Sequence, residues 1–346
     1  MSTPPRTLAA LDAWHARAIE AVIDAERPIV DAHHHLWWRP PESFQLPELI
    51  AEMTSGHDIR ATVFVQNGAM YRADGPEAMK PVGETEYVNG VAAVGASGLL
   101  GPARPCAGIV GFADLRLGND VQAVLAAHKA AAGPRFKGVR QQAQWDPHLG
   151  SMAKTTPAPG LLAEPAFRAG FAHLAPLGLG FDAWIYFTQL AELAELAAAF
   201  PETRIVLDHL GAPLGVGPYA SRRREVFDRW ARGVDALAAH ANVSVKLGGL
   251  GMPSYGFGFE QRETPASSAE LAAAWRPYVE RVIERFGADR CMFESNFPVD
   301  KVSCSYRTLW NAFKRLAAGA SAAEREALFG GTARRVYDLG SEGIEN

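Results

Sequence analysis

The residues of this chain best suited to chemistry begin at Asp31-Ala-His33-His34-His35, directly after the apolar pair Ile29-Val30. Successive side chains on a strand alternate faces, so His33 and His35 project together and His34 projects the other way. Two imidazoles about 7 Å apart on one strand face can converge on one divalent ion or one substrate oxygen. Asp31 shares their parity one step deeper, where it is placed to orient a histidine through a hydrogen bond. A polar cluster at a strand end is the plainer reading of the same run.

Further polar residues recur at the ends of later apolar runs. Phe136-Lys-Gly-Val-Arg140 leads into Gln142, Trp145 and Asp146, and the fork of Arg140 suits a carboxylate or a carbonyl. Asp182, Trp184, Tyr186 and Thr188 share one parity, and Thr188 is also placed to cap the helix beginning at Gln189. His209 ends an apolar run ahead of a Gly/Pro turn, with Asp208 of opposite parity assigned a structural role. Lys246 lies among apolar neighbours, where a lysine either pairs with a carboxylate or is functional. Glu294 and Asn296 share a face, and Asp300 sits in the turn beyond.

Those residues need a frame that gathers strand ends in one place. Strand-like runs at 29–35, 60–66, 106–112, 135–141, 179–187, 204–209, 242–248 and 290–296 alternate with helical patterns near 85–97, 119–131, 164–177, 189–200, 221–240 and 270–286. Two helical patterns follow at 305–317 and 321–337, and a weaker one lies at 47–57. Eight strands, each followed by a crossover, predict an α/β fold of the (β/α)8 TIM-barrel type. A doubly wound open sheet would show a Gly-rich phosphate turn after its first strand, where this chain has His-His-His-Leu-Trp-Trp. Thr7–Ala25, with Leu8, Leu11, Ile19 and Val22 at helical spacing, predicts an N-terminal helical arm over 1–27 ahead of a barrel over 28–346. Irregular stretches at 67–84, 142–163 and 249–268 follow strands, on the rim where loops shape a pocket. Within the last, Pro253–Phe259 reads equally as a lid or as a surface loop.

A net charge of −4, with no basic run longer than Arg222-Arg223-Arg224, argues against nucleic acid or an anionic membrane as the main partner. Cys106, Cys291 and Cys304 are too scattered for a disulfide framework or zinc knuckle and are expected as reduced thiols. No apolar run approaches the ~20 residues of a membrane helix, and no signal pattern opens the chain. The expectation is a cytoplasmic protein acting on a small molecule, its oligomeric state open.

Taken together, Asp-x-His-x-His at 31–35, Gly-Val-Arg at 138–140, Asp-His-Leu-Gly-x-Pro at 208–213 and Met-Phe-x-Ser-x-Phe-Pro-Val at 292–299 resemble the amidohydrolase superfamily. Within it they are similar to the amidohydrolase-2 branch of sugar-acid and muconate-type lactonases, and the tail Leu328-Phe-Gly-Gly-Thr-Ala-Arg-Arg-Val-Tyr337 extends the likeness over about 28–339. The resemblance implies a barrel that opens lactones by attack of water, with His33 and His35 as the first-strand pair and His209 as the sixth-strand histidine. It makes Arg140 a contact for a substrate carbonyl or carboxylate. Some members use one divalent metal, Zn or Mn, and others none; its ligands here would be His33, His35 and His209.

Two departures stand out. The branch has Gly-Ser-Asp where this chain has Glu294-Ser295-Asn296, and strand five lacks the histidine many members carry, with Tyr186 or Thr188 nearby. An asparagine amide is neither a base nor an anionic ligand. Glu294, on the parity of Asn296, is therefore the expected base or ligand, with Asn296 orienting substrate or water and Asp300 as second choice. The expected activity is hydrolysis of a small lactone, with His33, His35, His209, Glu294, Asn296 and Asp300 catalytic. Arg140, Gln142, Trp145, Trp184, Tyr186 and Lys246 would bind the substrate, Arg140 and Lys246 stabilising the oxyanion. A non-oxidative decarboxylase of the same superfamily, releasing carbon dioxide rather than acid, and a non-catalytic barrel are the alternatives.

Overall fold

Eight parallel strands follow one another round a single sheet in chain order: β1 (Pro28–His34), β2 (Asp58–Val65), β3 (Arg104–Gly111), β4 (Phe136–Arg140), β5 (Gly180–Ala183), β6 (Ile205–Leu207), β7 (Val243–Lys246) and β8 (Cys291–Met292). The structure, a computed structural model, describes residues 6–150 and 159–340, so the middle of the 142–163 loop lies outside the described residues. The sheet closes just past β8. Asn296 donates its backbone N–H to the His33 carbonyl at 2.8 Å, and His35 donates to the Phe297 carbonyl at 2.8 Å. His34 and Phe297 form a parallel bridge there. The fold is a (β/α)8 barrel.

Helices cover the outside. Ser268–Phe286 shows why these segments are helical: Ser267 and Glu270 form a reciprocal capping box at its start. Leu271, Trp275, Tyr278, Val279, Val282 and Phe286 then recur at helical spacing and are buried. Inside the barrel, Val30, Ala32, Ala61, Val63, Val65, Val110, Val206 and Met292 pack with Ala333 and Tyr337 of the C-terminal helical segment. This floor fixes which parity faces inward on each strand.

Three local expectations change. Among the described residues of the arm, the helix runs over Leu8–His15 only. Beyond it Glu20 accepts from the backbone of Ser268 at 2.6 Å and from Asn311 Nδ2 at 3.2 Å, so polar contacts hold the segment while Ile19 stays 71% exposed. The strands stop short of the apolar runs that mark them, because the chain leaves the ladder to build the rim. Finally, Thr188 does not cap the following helix; its hydroxyl has no hydrogen-bond partner among the described residues, while Gln189 Oε1 accepts from the backbone of Tyr186 at 3.2 Å and Trp145 at 2.9 Å.

Candidate active site at the C-terminal ends of the strands

The first-strand histidines reach the interior through a register shift between Asp31 and His34 in the pairing of β1 with β2. His34 faces outward, with Nε2 bonded to Thr62 Oγ1 at 2.8 Å. His33 and His35 face inward with their Nε2 atoms 3.3 Å apart. The same irregularity separates Asp31 from them, against the parity expectation. Asp31 accepts from the Ser295 backbone at 2.7 Å and from Tyr306 Oη at 2.9 Å, so it ties the barrel seam together and orients no imidazole.

Strand six corrects a second expectation. Asp208 continues the inward parity of Val206 and is fully buried in the polar cluster. His209 joins it on the same side because the chain turns left-handed there, with φ of 54° at both His209 and Leu210. The corner is held by Tyr255, whose hydroxyl donates to the His209 carbonyl. Gly249, at φ +71°, lies against the imidazole; a Cβ there would fall 2.6 Å from His209 Cγ. Tyr255 is 1% exposed, so Pro253–Phe259 is neither an open flap nor a loose surface loop but a packed part of the site wall.

Glu294, inward like Met292, places Oε1 2.6 Å from His209 Nδ1 and Oε2 2.9 Å from His33 Nδ1. Lys246 lies beneath the rings with Nζ 2.6 Å from Asp182 Oδ2, 3.0 Å from Asp208 Oδ1 and 3.1 Å from His33 Nδ1. Tyr337 also donates to Asp182 Oδ2, at 2.8 Å. Arg140 holds the other flank, with Nη1 3.4 Å from Asp208 Oδ2 and 3.3 Å from His33 Nε2. Its Nη2 donates to the Gln66 carbonyl, while its buried Nε has no partner among the described residues. Asp182, Asp208 and Tyr337 were missing from the expected site. The buried-strand position of Asp182 was a usable signal; nothing local marked Tyr337.

Burial and neighbouring charge set the protonation states. His33 is lowered to about 4 by burial and then by Lys246, so its ring is neutral near pH 7. Burial pushes Glu294 up, but His209 first and then His33 outweigh it and hold the carboxyl at about 2. Lys246 is raised: burial lowers it, and Asp182, Asp208 and Glu294 more than offset that. Asp300 is pushed up to about 7 by burial.

The other expected residues spread around this cluster. Asn296 (φ 54°) donates to Asp300 Oδ1 at 2.8 Å, and Asp300 Oδ2 accepts from the Gly251 backbone at 2.8 Å, so this pair braces two rim loops. Trp184 meets His209 edge to face at 4.7 Å between centroids, and Tyr186 packs against Trp184 at 6.1 Å. Trp145 lines a neighbouring cleft with Asp146, Tyr219 and Arg229, and Gln142 is half-buried next to buried Gln141.

One atom each from His33, Asp208 and His209 lie within 4.8 Å of one another. Imidazole and carboxylate donors at this spacing fit a divalent ion. His35 Nε2, 3.3 Å from His33 Nε2, adds a fourth donor atom and a third nitrogen.

A model of the amidohydrolase family matches residues 30–339. The chain is 35% identical over 323 residues to the uncharacterized protein y4mH of Sinorhizobium fredii, covering 89% of this chain and 98% of that one. It is 28% identical to an L-fucono-1,5-lactonase of Burkholderia ambifaria, covering 79% and 81%. A crystal structure of an amidohydrolase from Burkholderia multivorans with bound zinc superposes with a TM-score of 0.64 at 24% identity, covering 91% of this chain and 100% of that one. Among the described residues no helix is long and apolar enough to cross a membrane. With its family match running from β1 to the end of the closing helix, this chain belongs to the amidohydrolase family.

Proposed function

We propose that the chain is a hydrolase that opens the ester bond of a small lactone by attack of water. The observation that carries this reading is the Glu294–His209 pair set opposite Arg140 across His33. With Glu294 Oε1 accepting from His209 Nδ1 at 2.6 Å, the ring proton is fixed on Nδ1 and Nε2 carries the lone pair. His209 Nε2 then takes a proton from water, and the Glu294 carboxylate stabilises the imidazolium that forms. As water adds to the carbonyl carbon, the Arg140 guanidinium stabilises the oxyanion. The ring C–O bond breaks on collapse, and His209 returns its proton to the leaving alkoxide, giving the open hydroxy acid. Were a divalent ion held by His33, Asp208 and His209, it would supply Lewis-acid polarisation or a more acidic water, and His209 Nε2 would then serve as its ligand in place of the base role.

The lactonase relatives support the substrate class, and the sealed ion-pair floor beneath the histidines supports a role for Lys246 in shaping the site rather than touching substrate. The test is a pH-indicator screen over sugar-acid, muconate-type and aromatic lactones, each with and without chelator. Acid release that disappears in His209→Asn is the expected result. Silence on every lactone, with carbon dioxide released from aromatic carboxylic acids, would overturn the reading in favour of a decarboxylase.

A further inference from the structure

Arg140 leans on a carbonyl that the strand ladder does not fix. Just past β2, Gln66 donates its backbone N–H to the Val110 carbonyl at 2.8 Å. The next peptide, Gln66–Asn67, turns away from the ladder. Its carbonyl accepts from Arg140 Nη2, and its N–H, on Asn67, donates to Glu84 Oε1 at 3.0 Å. Ala69 donates its backbone N–H to the same oxygen at 2.8 Å. A trans peptide points its carbonyl and its N–H in opposite directions, and Gln66–Asn67 is trans. The Arg140 guanidinium and the Glu84 carboxyl group therefore grip the two ends of one peptide unit. A cation at the carbonyl and an acceptor at the N–H polarise that unit in the same sense.

Glu84 lies in the first turn of the helix Val82–Ala96 and is 1% exposed. Burial pushes its carboxyl up to about 7, against the pull of the Ala69 and Asn67 N–H groups. Its Oε2 is buried with no hydrogen-bond partner among the described residues. A proton taken there leaves Oε1 accepting, so the hold on the peptide does not depend on ionisation. Arg140, for its part, has few other restraints on the plane of its fork. Its Nε is unpartnered among the described residues, and Nη1 lies 3.4 Å from Asp208 Oδ2 and 3.3 Å from His33 Nε2. The Gln66 carbonyl sets how the fork is turned.

We infer that Glu84 is a positioning residue of the site: by fixing the Gln66–Asn67 peptide from behind, it aims the Arg140 guanidinium at the carbonyl oxygen of the substrate. This role rests on the proposed hydrolysis, and the two tests are chosen so that either reading can fail alone.

The first test is kinetic, on any lactone found in the screen. Glu84→Met fills the space without an acceptor and is expected to lower kcat about 10²-fold with KM little changed, the scale of a misplaced catalytic group. Glu84→Gln keeps an oxygen for the two N–H groups and is expected to recover most of that loss. Added to Arg140→Lys, the change Glu84→Met is expected to cost little more, because the group it aims is already gone. Equal losses in the Gln and Met variants, or losses that add in full, overturn the inference. The second test compares 1H–15N spectra of wild type and Arg140→Met at two backbone amides. Asn67, on the peptide that Arg140 holds, is expected to shift clearly more than Ala69, which shares Glu84 Oε1 but not that peptide. Equal shifts, or none, overturn the inference. This measurement needs neither turnover nor a Glu84 variant, so it decides if Glu84→Met does not fold. Silence on every lactone strikes the hydrolase reading and leaves the Asn67 signal to decide this one.

Discussion

His209 and Glu294 meet at 2.6 Å by two different routes. Glu294 arrives by simple alternation from Met292, whereas His209 arrives only because its own backbone turns left-handed at φ 54°. In the proposed reaction their contact would supply a base with a fixed tautomer and a carboxylate behind it.

Glu294→Gln keeps an oxygen that can accept from His209 but loses the charge that stabilises an imidazolium. On any lactone found in the screen, kcat is expected to fall about 10²- to 10⁴-fold with KM little changed. Steady-state kinetics checks this, and full activity in the variant would remove Glu294 from the mechanism.

Arg140→Lys retains a cation but not the planar fork that spans Asp208, His33 and the Gln66 carbonyl. The expected loss in kcat is about 10²- to 10³-fold, the scale of a removed oxyanion donor. A loss confined to KM would instead make Arg140 a ground-state binding group.

Gly249→Ala places a methyl group against His209 at a backbone angle that favours glycine. Strain of roughly 1–3 kcal/mol is expected, read as a lower midpoint in urea unfolding, together with loss of activity. Unchanged stability would show that the corner at His209 yields easily.

Acid should unfold the protein through its buried histidines. His128 is fully buried between Thr85 Oγ1 at 2.8 Å and the Phe112 carbonyl at 2.9 Å, and burial lowers it to about 4. The unfolded ring, near 6.5, takes up a proton before the folded one, so stability is full above pH 6.5 and falls as pH drops toward 4. Every tenfold difference in proton affinity between the folded and unfolded ring corresponds to about 1.4 kcal/mol. Urea midpoints at pH 7 and pH 5 are expected to converge in His128→Gln relative to wild type; an unaltered gap would assign the acid sensitivity elsewhere.

Much of this was legible in the sequence, and the exceptions share a cause. The eight strand-like runs, the inward His33 and His35, and the inward Glu294 follow from apolar period and alternation, which are local properties. Asp31 and Asp208 were assigned to the wrong sides because alternation was counted across a register shift in β1 and a left-handed corner after β6, neither of which side-chain type announces. The lysine in an apolar strand was recognisable as unusual, but not its partners, since Asp182 and Asp208 come from other strands. Tyr337 reaches Asp182 from 155 positions away, and only the closed barrel brings them together.

The corner at His209 also bears on protein engineering. Anyone transplanting this constellation into another barrel would be copying a bent piece of main chain as much as a set of side chains. Grafted onto a straight strand, Asp208 and His209 would point to opposite faces, and one of the two would be lost to the helical shell. The portable unit is therefore the segment from Leu207 to Ala212 together with Tyr255, the residue that pins it.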